Sequence, residues 1–126
     1  MNTLTPGLTG QCSETVLYTN TALSLGSGLL NVYATPAMVA LMEKAAVLTI
    51  SPYLVEGEGS VGIKLEITHD RATLPGHIIT ATAELLEIEG RKLTFKVSAA
   101  DEQGIIGQGL HQRFVIDNEK FLAKLK

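Results

Sequence analysis

The sequence has little of what metal, redox or secreted scaffolds need. Cys12 is the single cysteine among 126 residues, which excludes an intrachain disulfide and a thiolate-bound metal cluster and fits a reducing compartment. The formal net charge is only −3, and no basic run or stripe interrupts the chain. Nothing is therefore arranged to neutralise a phosphate backbone, and nucleic acid is not an expected partner. The first residues lack a basic segment leading into an apolar run and a small-residue cleavage site, and the apolar stretch from Ala37 to Ile50 is too short and interrupted to span a bilayer. A cytoplasmic protein without a membrane partner is expected. Phosphate-binding glycine motifs, a serine-hydrolase elbow and metal-ligand spacings are missing as well. Gly26-Ser27-Gly28 has no helix start in phase with a dinucleotide site and is discounted.

What remains is a globular composition, 45% hydrophobic and 18% charged. The length suits one domain over residues 1–126 with a single core. A mean hydropathy of +0.22 in so short a chain points to apolar surface covered by a second subunit.

The most apolar stretch runs from Ala37 to Ile50, preceded by Thr35 as an N-cap and Pro36 in the first turn. It predicts one helix, apolar nearly all the way round and so wrapped by other structure. Glu43 is the exception. Its helical neighbours are Val39, Ala40, Ala46 and Val47, and an ionised carboxylate on such a face needs a donor or a cation.

Around this helix the chain reads as strands. Ser13 to Thr19 predicts a first strand, and Asn20 to Leu30, with its glycines, serines and leucines, a flap or a connection packed on the core. Beyond the helix everything is strand-like. In Val61 to Arg71 the odd positions Val61, Ile63, Leu65 and Ile67 share an apolar face, and His69 falls on that face by period two. His77 to Ile88, Lys92 to Ala100 and Ile105 to Asp117 follow, joined by turns at Glu89-Gly90 and Asp101 to Gly104. Mixed parity in Ile78 to Ile88 predicts a bulge. One long apolar helix and about five antiparallel strands give an α+β arrangement, the hotdog fold, in which the sheet curls around the helix.

Thr35, Glu43 and His69 are the residues that could carry chemistry. Each has a plain alternative: a helix cap, a carboxylate satisfied by a buried donor, and an ordinary core histidine. Together, Glu43 and His69 suggest an acid–base pair facing across the helix–sheet interface. Eight helical residues, about 12 Å, separate Thr35 from Glu43, so uniting all three needs a second element or a second subunit. On the last strand Gly107, Gly109, His111 and Arg113 share a face. The glycines leave room for a close approach, and Arg113 could pair with a phosphate or a carboxylate, in the site or merely at the surface.

Tyr33 to Glu43, Ser60-Val61-Gly62 leading to His69, Pro75-Gly76, Glu89 to Phe95 and Gly109 to Val115, taken in order, resemble the hotdog acyl-CoA thioesterases related to fluoroacetyl-CoA thioesterase. The resemblance implies a catalytic set of Thr35, Glu43 and His69, a glycine beside the substrate carbonyl at Gly62, and an arginine near the acyl-CoA site at Arg113. It further implies a homodimer, an acyl-CoA substrate and no metal or cofactor beyond the CoA of the substrate. The family's lid and aromatic acyl pocket lie at and before Tyr33, where this chain offers Leu23, Leu25, Leu29, Leu30 and only Tyr33 as an aromatic. Tyr33 and Leu29 are thus the expected acyl-side contacts. The expected activity is hydrolysis of a short acyl-CoA, with Glu43 as nucleophile or general base. The alternatives are a non-catalytic acyl-CoA-binding module, an acyl-thioester dehydratase or hydratase, and a structural dimer module.

Overall fold

The computed structural model describes residues 3–126. Strand β1 (Thr9–Thr15) leads through a short 3₁₀ turn and a four-residue helix α1 (Ala22–Leu25) to the long helix α2 (Thr35–Ile50). Strands β2 (Glu58–His69), β3 (Ile78–Glu89), β4 (Lys92–Asp101) and β5 (Gly104–Asp117) follow, then a short helix α3 (Asn118–Ala123). One antiparallel sheet has the order β1-β3-β4-β5-β2, which leaves β1 and β2 at its edges.

Helix α2 lies across the sheet. Met38, Leu41, Met42, Ala45, Ala46 and Ile50 meet Ile79, Ala81, Ala83, Leu85, Leu93, Phe95 and Val97 in the core. Alanines on both surfaces let helix and sheet approach closely. A Cβ on Gly10 would stand 2.7 Å from the Ala45 carbonyl oxygen, so β1 tolerates no side chain there. The opposite side of α2 is not wrapped: Val47 and Leu48 are 38% and 41% exposed. The all-round apolar pattern thus overstates how far one protomer's sheet encloses the helix.

Several boundaries differ from the sequence expectations. The first strand starts earlier, at Thr9, because Thr9 to Thr15 pairs with Ile78 to Glu84. The chain after the last strand forms α3, capped by the Asp117 side chain accepting from Lys120 N–H. Thr35 is not the cap. Ala34 occupies that position without a side-chain bond, and Thr35 stands inside the first turn.

The expected bulge in β3 occurs between Leu85 and Glu87. A second one, between Gly62 and Lys64 in β2, alters the reading of that strand. Downstream of it Leu65, Ile67 and His69 lie opposite His111, Gly109 and Gly107 on the helix-facing side. Upstream the parity is inverted: Val61 lies opposite the half-exposed Phe114, Ile63 is 50% exposed, and Gly62 faces Glu43.

Candidate active site

Two clusters hold the candidate residues. The first lies where the N-terminus of α2 meets the end of β2. Thr35 Oγ1 and His69 Nδ1 share a hydrogen bond of 2.8 Å. The loop after β2 is tied down by the Asp70 and Arg71 amides on the Ile106 carbonyl, and by Arg71 Nη2 and Thr73 Oγ1 on Asp101 at 2.6 and 2.9 Å. The Thr73 carbonyl then accepts from Tyr33 N–H, two residues before Thr35, so one network fixes both partners of the hydrogen bond. His69 Nε2 is buried and has no hydrogen-bond partner among the described residues. Burial pushes the His69 imidazole below its ordinary value, although the nearby Arg71 backbone and Asp70 carboxylate pull it upward. A cleft of about 230 Å³ opens beside this pair, with Ala22, Val32 and Ala72 in its walls.

The second cluster lies along the inner face at the β2 bulge. Arg113 Nη1 donates to Glu43 Oε2 at 3.0 Å, while Arg113 Nε and Nη2 donate to the Ser60 hydroxyl and carbonyl at 2.8 and 3.0 Å. This is the cation that the isolated carboxylate of α2 requires. Glu43 keeps 39% of its side chain exposed against 8% for Arg113, so the carboxylate is gripped from inside and open to solvent from outside. Gly62 is packed against the cluster. A Cβ there would stand 2.7 Å from Glu43 Oε2, 3.2 Å from His111 Cε1 and 3.4 Å from Arg113 Nη1. His111, which the sequence placed on the Arg113 face without a role, is 2% exposed and lies 3.2 Å from Arg113 Nη1 and 3.9 Å from Glu43 Oε2. Ser60 was not singled out, since only the strand register carries it to Arg113.

Within one protomer, then, His69 bonds Thr35 and Glu43 bonds Arg113. The expected direct facing of Glu43 and His69 is not made, because Glu43 packs on the Gly62 bulge within β2 while His69 closes the strand's C-terminal end. Gly62 and His69 are seven residues apart in an extended strand, roughly 23 Å at most. Another cavity, of about 480 Å³, lies under α3 against the outer face of β5, and none of the candidate residues lines it. Among the described residues no group of three or more His, Cys, Asp and Glu side chains could hold a metal ion. No helix among them is long and apolar enough to cross a membrane.

A carboxylate open to solvent, a half-buried imidazole bonded to a hydroxyl, and a helix N-terminus can attack a carbonyl, protonate a leaving group and stabilise an oxyanion. The family model for fluoroacetyl-CoA-specific thioesterase matches residues 16–119. The chain belongs to this family. It is 52% identical over 95 residues to the fluoroacetyl-CoA thioesterase of Streptantibioticus cattleyicolor, covering 75% of this chain and 68% of that one. A solved structure of the fluoroacetyl-CoA thioesterase FlK superposes with a TM-score of 0.93 at 41% identity, covering 98% of this chain and 96% of the other. A Thermus thermophilus protein described as a thioesterase superfamily member gives 0.91 at 29% identity, with 99% and 93% covered.

As a member of the fluoroacetyl-CoA-specific thioesterase family, the chain is a hotdog-fold thioester hydrolase. Its expected acyl-side residues are placed differently from each other. Tyr33 is buried, with its hydroxyl donating to Glu14 Oε2, and burial followed by that bond raises its phenol far above the ordinary range. It also lines the cleft beside His69. Leu29 is 87% exposed and lies apart from both clusters in the protomer.

Proposed function

We propose that this thioester hydrolase cleaves a short acyl-CoA as a homodimer, each catalytic site joining Glu43, Arg113 and Gly62 of one protomer to Thr35 and His69 of the other. The observation that carries this reading is the unpartnered, buried Nε2 of His69 at the C-terminal end of β2 and the open carboxylate of Glu43 beside Gly62 of the same strand. β2 is an unpaired edge. Pairing two copies antiparallel about a two-fold axis midway between Gly62 and His69 would bring each half-site against the complementary half of its mate. The exposed Val47 and Leu48 of α2 and Ile63 of β2 supply apolar surface for the same contact.

In the assembled site the Glu43 carboxylate either takes a proton from the water that attacks the thioester carbonyl, or attacks it directly to give a mixed anhydride that water then cleaves to the free acid and the carboxylate. Gly62, lacking a side chain, lets the carboxylate stand against the β2 backbone, and the carbonyl approaches the carboxylate from its solvent side. The C–S bond breaks as the tetrahedral intermediate collapses, and His69 provides the proton to the departing thiolate. Thr35, bonded to His69 and standing in the first turn of α2, orients the imidazole where the helix dipole favours developing negative charge. The small cleft beside His69, walled by Ala22, Val32 and Ala72, suits a short acyl group. Fluoroacetyl-CoA, the substrate named for the relatives, belongs in the panel with acetyl-CoA and propionyl-CoA. No metal or cofactor has a place in this scheme, and turnover is expected to withstand a chelator. Cys12 as the lone thiol supports a reducing, cytoplasmic location.

The test is thiol release from that panel, with sedimentation to establish the dimer. Absence of turnover on every member, or full activity in both Glu43→Ala and His69→Ala, overturns the activity. Mixing inactive Glu43→Gln with inactive His69→Asn under exchange tests the shared site. A heterodimer then contains one intact site of two, so roughly a quarter of the wild-type rate returns at random assortment. A mixture that stays inactive while exchanging subunits overturns the shared arrangement.

A further inference from the structure

The sequence reading left His111 without a role, and the catalytic scheme above does not use it. The ring is buried, stacked at 28° on Phe95 with 6.3 Å between centroids, and bonded at both nitrogens. Nδ1 lies 2.9 Å from the carbonyl oxygen of Lys64, at the β2 bulge. A carbonyl oxygen only accepts, so Nδ1 carries a proton. Nε2 lies 3.2 Å from Arg113 Nη1, which only donates, so Nε2 carries a lone pair. The two contacts together fix the tautomer and the charge: a neutral imidazole with its hydrogen on Nδ1.

We propose that His111 is a positioning residue for the thioester hydrolysis, its bare Nε2 taking one hydrogen of Arg113 Nη1 so that the other is aimed at Glu43 Oε2. The assignment rests on the reading that Glu43 supplies the attack. Arg113 Nε and Nη2 are committed to Ser60, and Nη1 has two hydrogens for two acceptors, Glu43 at 3.0 Å and His111 at 3.2 Å. A guanidinium held at all three of its nitrogens cannot pivot freely, and the carboxylate it holds keeps one orientation. Without Nε2, one Nη1 hydrogen would be left buried and unpaired, free to compete for the carboxylate. The bulge in β2 has a function in this scheme. It supplies the Lys64 carbonyl that holds Nδ1, and it turns Gly62 inward beside the carboxylate.

Protonation would undo the arrangement. The groups facing the ring are Glu43 from α2, Arg113 from its own strand, the Lys64 carbonyl from β2 and the uncharged Phe95 from β4, while the Lys64 ammonium is turned out to Glu66. An added hydrogen on Nε2 would face the Arg113 hydrogens and draw the ring toward Glu43. Burial first, and then the Arg113 charge, oppose that protonation against the pull of the Lys64 carbonyl and Glu43.

Nitrogen NMR of the wild-type protein at pH 7, without substrate, and kinetics of three variants form the test. The expected spectrum shows Nδ1 protonated and Nε2 bare for His111. His111→Gln places an amide oxygen near the site of Nε2 and is expected to hold kcat within about threefold. His111→Asn can still reach Lys64 but not Arg113. With His111→Phe, it is expected to lose kcat about tenfold or more at nearly constant KM, since Glu43 loses orientation rather than the substrate its binding surface. The acid limb of kcat should move in His111→Gln, which has no proton to gain there. A protonated Nε2 at pH 7, wild-type kcat in His111→Asn, or equal impairment of Asn and Gln variants overturns the proposal. Should the Asn and Phe variants fail to fold, the spectrum and the Gln variant decide. A wild-type protein with the expected spectrum but no turnover overturns the role of Glu43 as attacking group, and with it the kinetic role of His111, while the tautomer stands.

Discussion

Arg113 reaches from β5 to hold Glu43 of α2, Nη1 to Oε2, at 3.0 Å, and Gly62 of β2 closes over the pair. Three elements far apart in sequence thereby share one charged contact. Because Arg113 is buried and Glu43 is partly open, the guanidinium acts as a fixed anchor for a carboxylate whose other side faces solvent. Glu43→Gln keeps an oxygen for Arg113 and removes the charge. It is expected to fold normally by circular dichroism and to lose roughly 10²- to 10⁴-fold in kcat, as for removal of a positioned acid–base group.

Arg113→Lys tests the anchor itself. A lysine cannot satisfy Ser60 and Glu43 together, so the carboxylate loses its orientation. A fall of about ten- to a hundredfold in kcat/KM is expected, with a lowered urea midpoint because Ser60 and His111 lose their donor.

Gly62→Ala adds a methyl group where Glu43 Oε2 already lies 2.7 Å away. Gly62 is on an exposed edge strand, so the fold should survive with a melting temperature within a few degrees of wild type. The carboxylate has to move, and kcat should fall at least tenfold in the thiol-release assay. Activity equal to wild type would show that the close packing of Glu43 on Gly62 is not needed for turnover.

Stability should decline in mild acid. His69 and His111 are both held below the ordinary value of 6.5, in each case chiefly by burial. The unfolded chain therefore binds more protons than the native protein as the pH falls below about 6.5. The stabilisation is fully present above that value and is lost as the pH drops through the native pKa values. Urea unfolding at pH 7.5 and pH 5 should show the difference, and His111→Gln should flatten it. Equal midpoints for the wild type at both pH values would contradict this.

Asp101 joins Arg71 and Thr73 at the loop that carries His69 toward Thr35. Asp101→Ala leaves both donors without their acceptor and is expected to cost about 3 kcal/mol of stability, read from chemical denaturation. Because Thr73 also bonds the Tyr33 amide, kcat should decline further than in a surface variant of equal stability.

The long helix, the antiparallel strands and the membership of Glu43 and His69 in apolar faces were legible in the sequence because they rest on local pattern. Thr35-Pro36 starts the helix, alternation marks β4 and the later half of β2, and Glu43 interrupts an otherwise apolar stretch. A bulge in β3 was legible from the mixed parity of Ile78 to Ile88, but it falls between Leu85 and Glu87, while the adjacent Ile78 and Ile79 alternate regularly, the first half-exposed and the second buried. In β2 the same rule misled. Val61, Ile63, Leu65 and Ile67 look like one face, but the register slip at Gly62 and Lys64 sends the first two outward. A slip is a property of two strands, and one strand's sequence does not contain it.

The partners of the candidate residues were likewise a tertiary matter. Thr35 reads as a cap because Thr-Pro commonly begins a helix, yet its hydroxyl turns to His69, 34 positions away. Glu43 demands a counter-charge, and the sequence establishes that demand, but only the packing of β5 behind α2 selects Arg113, 70 positions away, to meet it. By itself the sequence determined the long apolar helix, the strands around it, and a carboxylate at Glu43 on that helix that needs a counter-charge. The tertiary structure alone decided their partners, Thr35 with His69 at the C-terminal end of the edge strand β2 and Glu43 with Arg113 beside Ser60 and Gly62 of the same strand. Hydrogen bonds and ion pairs between distant segments depend on sub-ångström placement by the whole sheet, whereas burial and periodicity are already fixed by neighbouring residues.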